Sequence, residues 1–138
     1  MPVSHIGLTV SHLPTSTSFF LSALQPLGYR YIGQQGNQVG LGISDADFFL
    51  CQETPGCKAG AAHIAFTAKT TAAVRDFYAN ALNAGGRPHG SPAVRNDESG
   101  LFNAAVLDFD GNSIEVVHRP GPDVVEDDDG KTRSAQHG

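Results

Sequence analysis

Cys51 and Cys57 are the only two cysteines in the sequence. They are too few for a disulfide framework and do not form a CxxC pair, so they read as reduced thiols in a cytosolic setting. Basic residues are also scarce, nine Lys and Arg against fourteen Asp and Glu for a net charge of −5, and much of the acid sits in the stretch DVVEDDDGK near the C-terminus. The remainder is close to neutral and shows no basic stripe suited to a phosphate backbone, which argues against nucleic acid as a partner. No apolar run approaches the length that spans a bilayer, and the opening MPVSHIGLTV lacks a charged segment followed by an apolar one. The expectation is a cytoplasmic protein that contacts neither nucleic acid nor membrane.

What is present is enough for one core: 138 residues, 40% of them apolar, fit a single globular domain. The chain also repeats itself. Residues 4–28 laid on 62–86 match without gaps at His5/His63, Ile6/Ile64, Thr9/Thr67, Phe19/Phe77, Ala23/Ala81, Leu24/Leu82 and Gly28/Gly86. Chance would give roughly one or two such identities. Two copies are too few for a solenoid and point to a pair of modules related by a pseudo-two-fold. The boundaries that follow are a single domain over 1–120, with module one at 1–57 and module two at 58–120. After Pro120 the charge, the glycines and the lack of apolar periodicity predict a disordered acidic tail over 121–138.

Each copy begins with period-two alternation, Ile6, Leu8 and Val10 against His5, Gly7 and Thr9, then Ile64, Phe66 and Ala68 against His63, Ala65 and Thr67. Helical stripes follow, Phe19, Phe20, Ala23, Leu24 and Leu27 in one copy and Val74, Phe77, Tyr78, Ala81 and Leu82 in the other, with glycine stops at Gly28 and at Gly85-Gly86. Module one continues with three strand-like runs at 29–34, 38–44 and 47–52. Module two offers a weaker run near 87–94 and two clear ones at 103–109 and 113–119, joined by Asp110-Gly111-Asn112. The pattern is β-α-β-β-β, twice.

A single strand histidine is ordinarily satisfied or exposed. His5 and His63 differ because they occupy equivalent positions of a duplicated strand, each on the less apolar face. Glu115 lies on the last strand of module two, with Ile114 and Val116 on the opposite face, so its carboxylate points away from the helix-packed core. Either it hydrogen-bonds a strand neighbour, or it joins the histidines as a 2-His-1-carboxylate donor set. Such a set suits Fe(II), Mn, Zn or Ni and leaves positions open for substrate oxygens.

With these residues the sequence resembles the vicinal oxygen chelate superfamily, which includes glyoxalases, bleomycin resistance proteins and extradiol dioxygenases. The resemblance covers 3–119 and rests on HIGLTV, HIAFTA, VRDFYANALNAGG and LDFDGNSIEVV. It implies an α+β fold, two tandem βαβββ modules forming a cupped mixed sheet, and a divalent metal held by His5, His63 and Glu115. It also implies a homodimer that completes the site from both chains. Aligning the last strands through Asp45 and Asp110 puts Leu50 at the family's fourth ligand position, opposite Glu115. That leaves three donors and argues against lactoylglutathione lyase activity, where a glutamate there takes part in proton transfer.

The function implied is a metal-dependent enzyme acting on a small substrate chelated through vicinal oxygens, with Glu115 also acting in catalysis. The alternative is a non-catalytic binder of an aromatic or antibiotic, as in the bleomycin-resistance branch. Expected substrate contacts are Phe48 and Leu50 as an apolar wall, Gln52 on the module-one side with Tyr31 and Gln34, and Arg95 for an anionic group. Period two places Glu53 with Cys51, away from the site. His12 and His118 are expected to lie outside the site, and His89 to flank the segment GSPAV with Arg95.

Overall fold

The duplicated pattern folds as a duplicated unit. The computed structural model describes residues 2–121, 124–126 and 132–134. Module one runs β1 (Ile6–Val10), α1 (Leu13–Leu24), a 3-10 turn (Gln25–Leu27), β2 (Arg30–Gln35), β3 (Gln38–Gly42) and β4 (Ala46–Gln52). Module two runs β5 (His63–Thr67), α2 (Thr71–Asn83), β6 (Arg87–Asn96), β7 (Leu101–Leu107) and β8 (Ser113–His118). Each module makes a four-stranded mixed sheet, ordered β1-β4-β3-β2 and β5-β8-β7-β6. In both, the first strand lies parallel to the last, Ile6 facing Phe48 and Ile64 facing Ile114. The fold is α+β, two βαβββ units in tandem.

The helices start where polar side chains can satisfy backbone donors left without an intrahelical partner. Thr70 caps α2 by accepting from the Ala73 N–H at 3.1 Å. His12 does the same for α1, its Nδ1 accepting from the Thr15 N–H at 3.3 Å, with Pro14 in the first turn. The 3-10 turn ends at Gly28 with φ 89°, a left-handed conformation that only glycine adopts cheaply. Phe19, Phe20, Ala23 and Leu24 of α1 and Val74, Phe77 and Ala81 of α2 are buried against the sheets. Truncating Phe20 or Phe77 to alanine would cost about 3–5 kcal/mol.

The two modules join through these helical sides. Asn80 on α2 donates to the Ser22 carbonyl on α1 at 3.1 Å, and the Phe48 and Phe66 rings meet edge to face at 5.2 Å. Asp110 accepts from the Ser11 N–H at 3.1 Å, tying the two ends together. Because the apolar sides are consumed in this contact, the opposite face of each sheet is left open, and His5 and His63 are both exposed.

The weak run near 87–94 is a ten-residue strand, β6, whose register to β7 shifts three times. Its bulges and its two prolines obscure alternation in the sequence, and both are tolerated because β6 is an edge strand. Within the tail expected to be disordered, β9 (Val124–Glu126) pairs antiparallel with β10 (Thr132–Ser134). The rest of 122–138 lies outside the described residues.

Candidate metal centre

Period two on β8 decides the chemistry of the second sheet. Ile114 and Val116 are fully buried beneath the helices, so Ser113 and Glu115 emerge on the open face. The parallel neighbour β5 places His63 beside Ser113 and Ala65 beside Glu115. The histidine reaches across this diagonal, its Nε2 standing 2.8 Å from Glu115 Oε1. The His63 side chain is 63% exposed and that of Glu115 only 17%.

The other carboxylate oxygen is also committed. Asn103, on β7, donates its Nδ2 amide to Glu115 Oε2 at 2.6 Å, and its Oδ1 accepts from Arg95 Nε at 2.6 Å. The arginine fixes which way the amide faces, and the amide holds the carboxylate by the oxygen turned away from His63. These residues, with His89, Gly90, Ala105 and Ser113, line an open hollow of about 400 Å³.

The pair fits a divalent ion. Two donors bound to one metal at about 2.0–2.2 Å in tetrahedral or octahedral geometry stand roughly 3.0–3.4 Å apart, so the observed 2.8 Å needs to open by only a few tenths of an ångström. A ligating carboxylate held by an outer hydrogen bond is the usual arrangement at metal sites.

His5 does not join them within the chain. Among the described residues no three His, Cys, Asp or Glu side chains come together as a metal-holding group. His5 has Ser4 Oγ 3.0 Å from its Nδ1 and packs edge to face on Phe49, ring centroids 5.5 Å apart, on the open face of sheet one.

That contact corrects the register drawn through Asp45 and Asp110. Gly7 faces Phe49 as Ala65 faces Glu115, so the residue equivalent to Glu115 is Phe49, one place before Leu50. The β3–β4 turn is shorter than the β7–β8 turn, which makes an alignment on its aspartates slip by one. Every β4 side chain therefore changes face. Phe48 and Leu50, expected as the apolar wall, are 1% and 0% exposed and belong to the core. Gln52 is turned the same way and is structural: its Oε1 accepts from the Leu13 N–H at 2.7 Å and its Nε2 donates to the Ser11 carbonyl at 2.8 Å. On the open face Phe49, Ile32 and Ala46, beside Gln34, line a second open hollow of about 260 Å³.

Cys51 lies on this open face, partly buried and paired with Thr9 in the ladder. Burial, and then the neighbouring Cys57, push its thiol up, so it holds less thiolate than an ordinary cysteine. Glu53 follows Cys51 by two residues, and its Oε1 accepts from the Ala59 N–H at 3.0 Å. His118 is buried on the opposite side, its Nδ1 3.0 Å from the Ala68 carbonyl. His89 and Arg95 both sit on β6. Asn103 went unread in the sequence, although it shares a face with Glu115 on the adjoining strand.

The same architecture recurs in solved proteins. A glyoxalase/bleomycin resistance protein from Albidiferax ferrireducens aligns over 85% of this chain and 98% of its own, with TM-score 0.73 and 25% identity. The chain has the vicinal oxygen chelate fold. Within that superfamily, a glyoxalase/bleomycin resistance protein/dioxygenase family enzyme from Burkholderia phytofirmans is similar over 86% of this chain and 99% of its own, with TM-score 0.64 and 16% identity. A mutant of the fosfomycin resistance protein FosX from Listeria monocytogenes, complexed with Mn(II) and dihydroxypropylphosphonic acid, is similar over 82% and 86%, with TM-score 0.61 and 19% identity. No protein-family model matches the sequence, and no curated protein matches it. Among the described residues no helix is long and apolar enough to cross a membrane.

Proposed function

We propose that this chain is a metal-dependent enzyme of the vicinal oxygen chelate type, acting on a small molecule that presents two adjacent oxygens. One observation carries the reading: His63 Nε2 and Glu115 Oε1 stand 2.8 Å apart on an open sheet face, with the remaining carboxylate oxygen tied to Asn103. The Asn103 amide would hold a metal-ligating carboxylate in one orientation, as outer hydrogen bonds do at metal sites. His63 and Glu115 would hold Zn, Ni, Mn or Fe(II), with His5 of a second copy as the third donor in a homodimer. When bound, the metal supplies Lewis-acid stabilisation of negative charge developing on the substrate oxygens. Glu115 also accepts a proton from the substrate, and Phe49 offers an apolar surface to its carbon skeleton.

One feature favours a second reading, a non-catalytic binder of planar or apolar compounds. Phe49 stands where a fourth donor would be, and with Ile32 and Ala46 it gives an apolar side to a hollow otherwise bordered by Gln34, Gln35 and Gln38. Elemental analysis of protein purified without added metal or chelator separates the two. The enzyme reading expects one divalent ion per Glu115, lost in His63→Ala and Glu115→Ala; equal metal content in wild type and both variants contradicts it.

A further inference from the structure

Among the described residues, Arg95 has no acidic partner. Its Nε and Nη2 donate to neutral acceptors, Asn103 Oδ1 and the Ser91 carbonyl. Among the described residues the one ion pair is His63–Glu115, and nothing accepts from Arg95 Nη1. A guanidinium held by one edge offers its other edge in a fixed plane, the geometry that suits a carboxylate or phosphonate.

The backbone aims this side chain. The ladder runs Val94↔Phe102 and then Asn96↔Leu101, so Arg95 is the extra residue of a bulge on β6. Bulges near sites re-aim a side chain. Gly90 lies alongside: a Cβ there would make ordinary contact, 3.5 Å from Arg95 Nη2 and 3.8 Å from the Ala105 Cβ. The hollow also contains His63 and His89, and its one acid is Glu115, whose oxygens are both engaged. Glu115 therefore leaves the outer edge of Arg95 without a carboxylate partner.

We infer that this hollow takes a small oxyanion, a carboxylate or phosphonate, on the outer edge of Arg95. The orientation of its vicinal oxygens toward His63 and Glu115 rests on the metal reading above. The anion subsite itself does not.

Titration calorimetry of the full-length protein with glycerate, dihydroxypropylphosphonate and neutral glycerol, with Mn(II) and after chelation, tests it. Both anions should bind more tightly than glycerol in either state. Arg95→Met should reduce the anion-to-glycerol affinity ratio by about 10–100-fold, the worth of a charge-assisted contact, and Arg95→Lys should restore part of it. A larger loss for one anion identifies whether carboxylate or phosphonate is the preferred group. If Mn(II) changes nothing while the Arg95 effect remains, the metal reading fails and the subsite stands. An unchanged ratio in Arg95→Met, or absence of anion binding to wild type, overturns the inference.

Discussion

Asn103 donates to the one oxygen of Glu115 that does not face His63, at 2.6 Å, and thereby sets the direction in which the other oxygen points. Losing this bond should leave the fold intact, since Asn103 is only partly buried, but should free the carboxylate to rotate. Asn103→Ala is expected to weaken Mn(II) binding by about 10–100-fold. Asn103→Asp should be worse, because an acceptor then faces an acceptor. Mn(II) titration followed by water-proton relaxation measures both, and thermal melting checks that the variants remain folded.

The register of β4 gives opposite outcomes at adjacent residues. Leu50 is fully buried, so Leu50→Glu places an unpaired charge in the core at a cost of several kcal/mol. Against a total stability of about 5–15 kcal/mol that is enough to unfold much of the protein. Phe49→Glu should fold, because position 49 opens onto the sheet face beside His5, and should raise divalent-metal affinity by adding a donor. Circular dichroism and metal titration would reveal the reverse pattern if Leu50 were the residue equivalent to Glu115.

The modules were legible in the sequence because alternation and helical stripes are local, and because His5/His63, Phe19/Phe77 and Gly28/Gly86 repeat in step. His63 and Glu115 were legible for the same reason: each lies on a regular strand whose alternate residues are apolar. Phe48, Leu50 and Gln52 were misplaced because facing across β4 depends on turn length, which Asp45 and Asp110 do not report. Arg95 was assigned to the site but not to a strand, since Pro88, Pro92 and the bulges break the alternation of β6. Asn103 was missed because its role comes from a diagonal neighbour on another strand, a relationship that exists only once β7 and β8 pair.

If the third donor comes from a second copy, mixed chains should rescue one another. A His5→Ala chain retains His63 and Glu115, and a His63→Ala chain retains His5, so a heterodimer of the two has one intact site. Each variant alone should bind little metal, and the refolded mixture should recover about one site per heterodimer. No recovery from a mixture shown by light scattering to contain dimers would contradict a shared site.

Phe49 also limits the chemistry. Moving a proton between adjacent carbons of a glutathione hemithioacetal calls for a second base beside Glu115, and the position paired with His5 offers only a phenyl ring. A missing general base costs about 10²–10⁴ in rate. Metal-loaded protein assayed with methylglyoxal and glutathione, using Ni, Zn, Mn and Fe(II) in turn, should show feeble turnover or none. Efficient turnover with any of them would show that Glu115 alone suffices.

The most direct measurement is an anomalous difference map from crystals of the protein soaked in Mn(II). A peak within about 2.0–2.3 Å of both His63 Nε2 and Glu115 Oε1, with Asn103 still on the other carboxylate oxygen, is the predicted result. A map without a peak at that pair, from crystals that take up Mn(II) elsewhere or not at all, would contradict the metal centre.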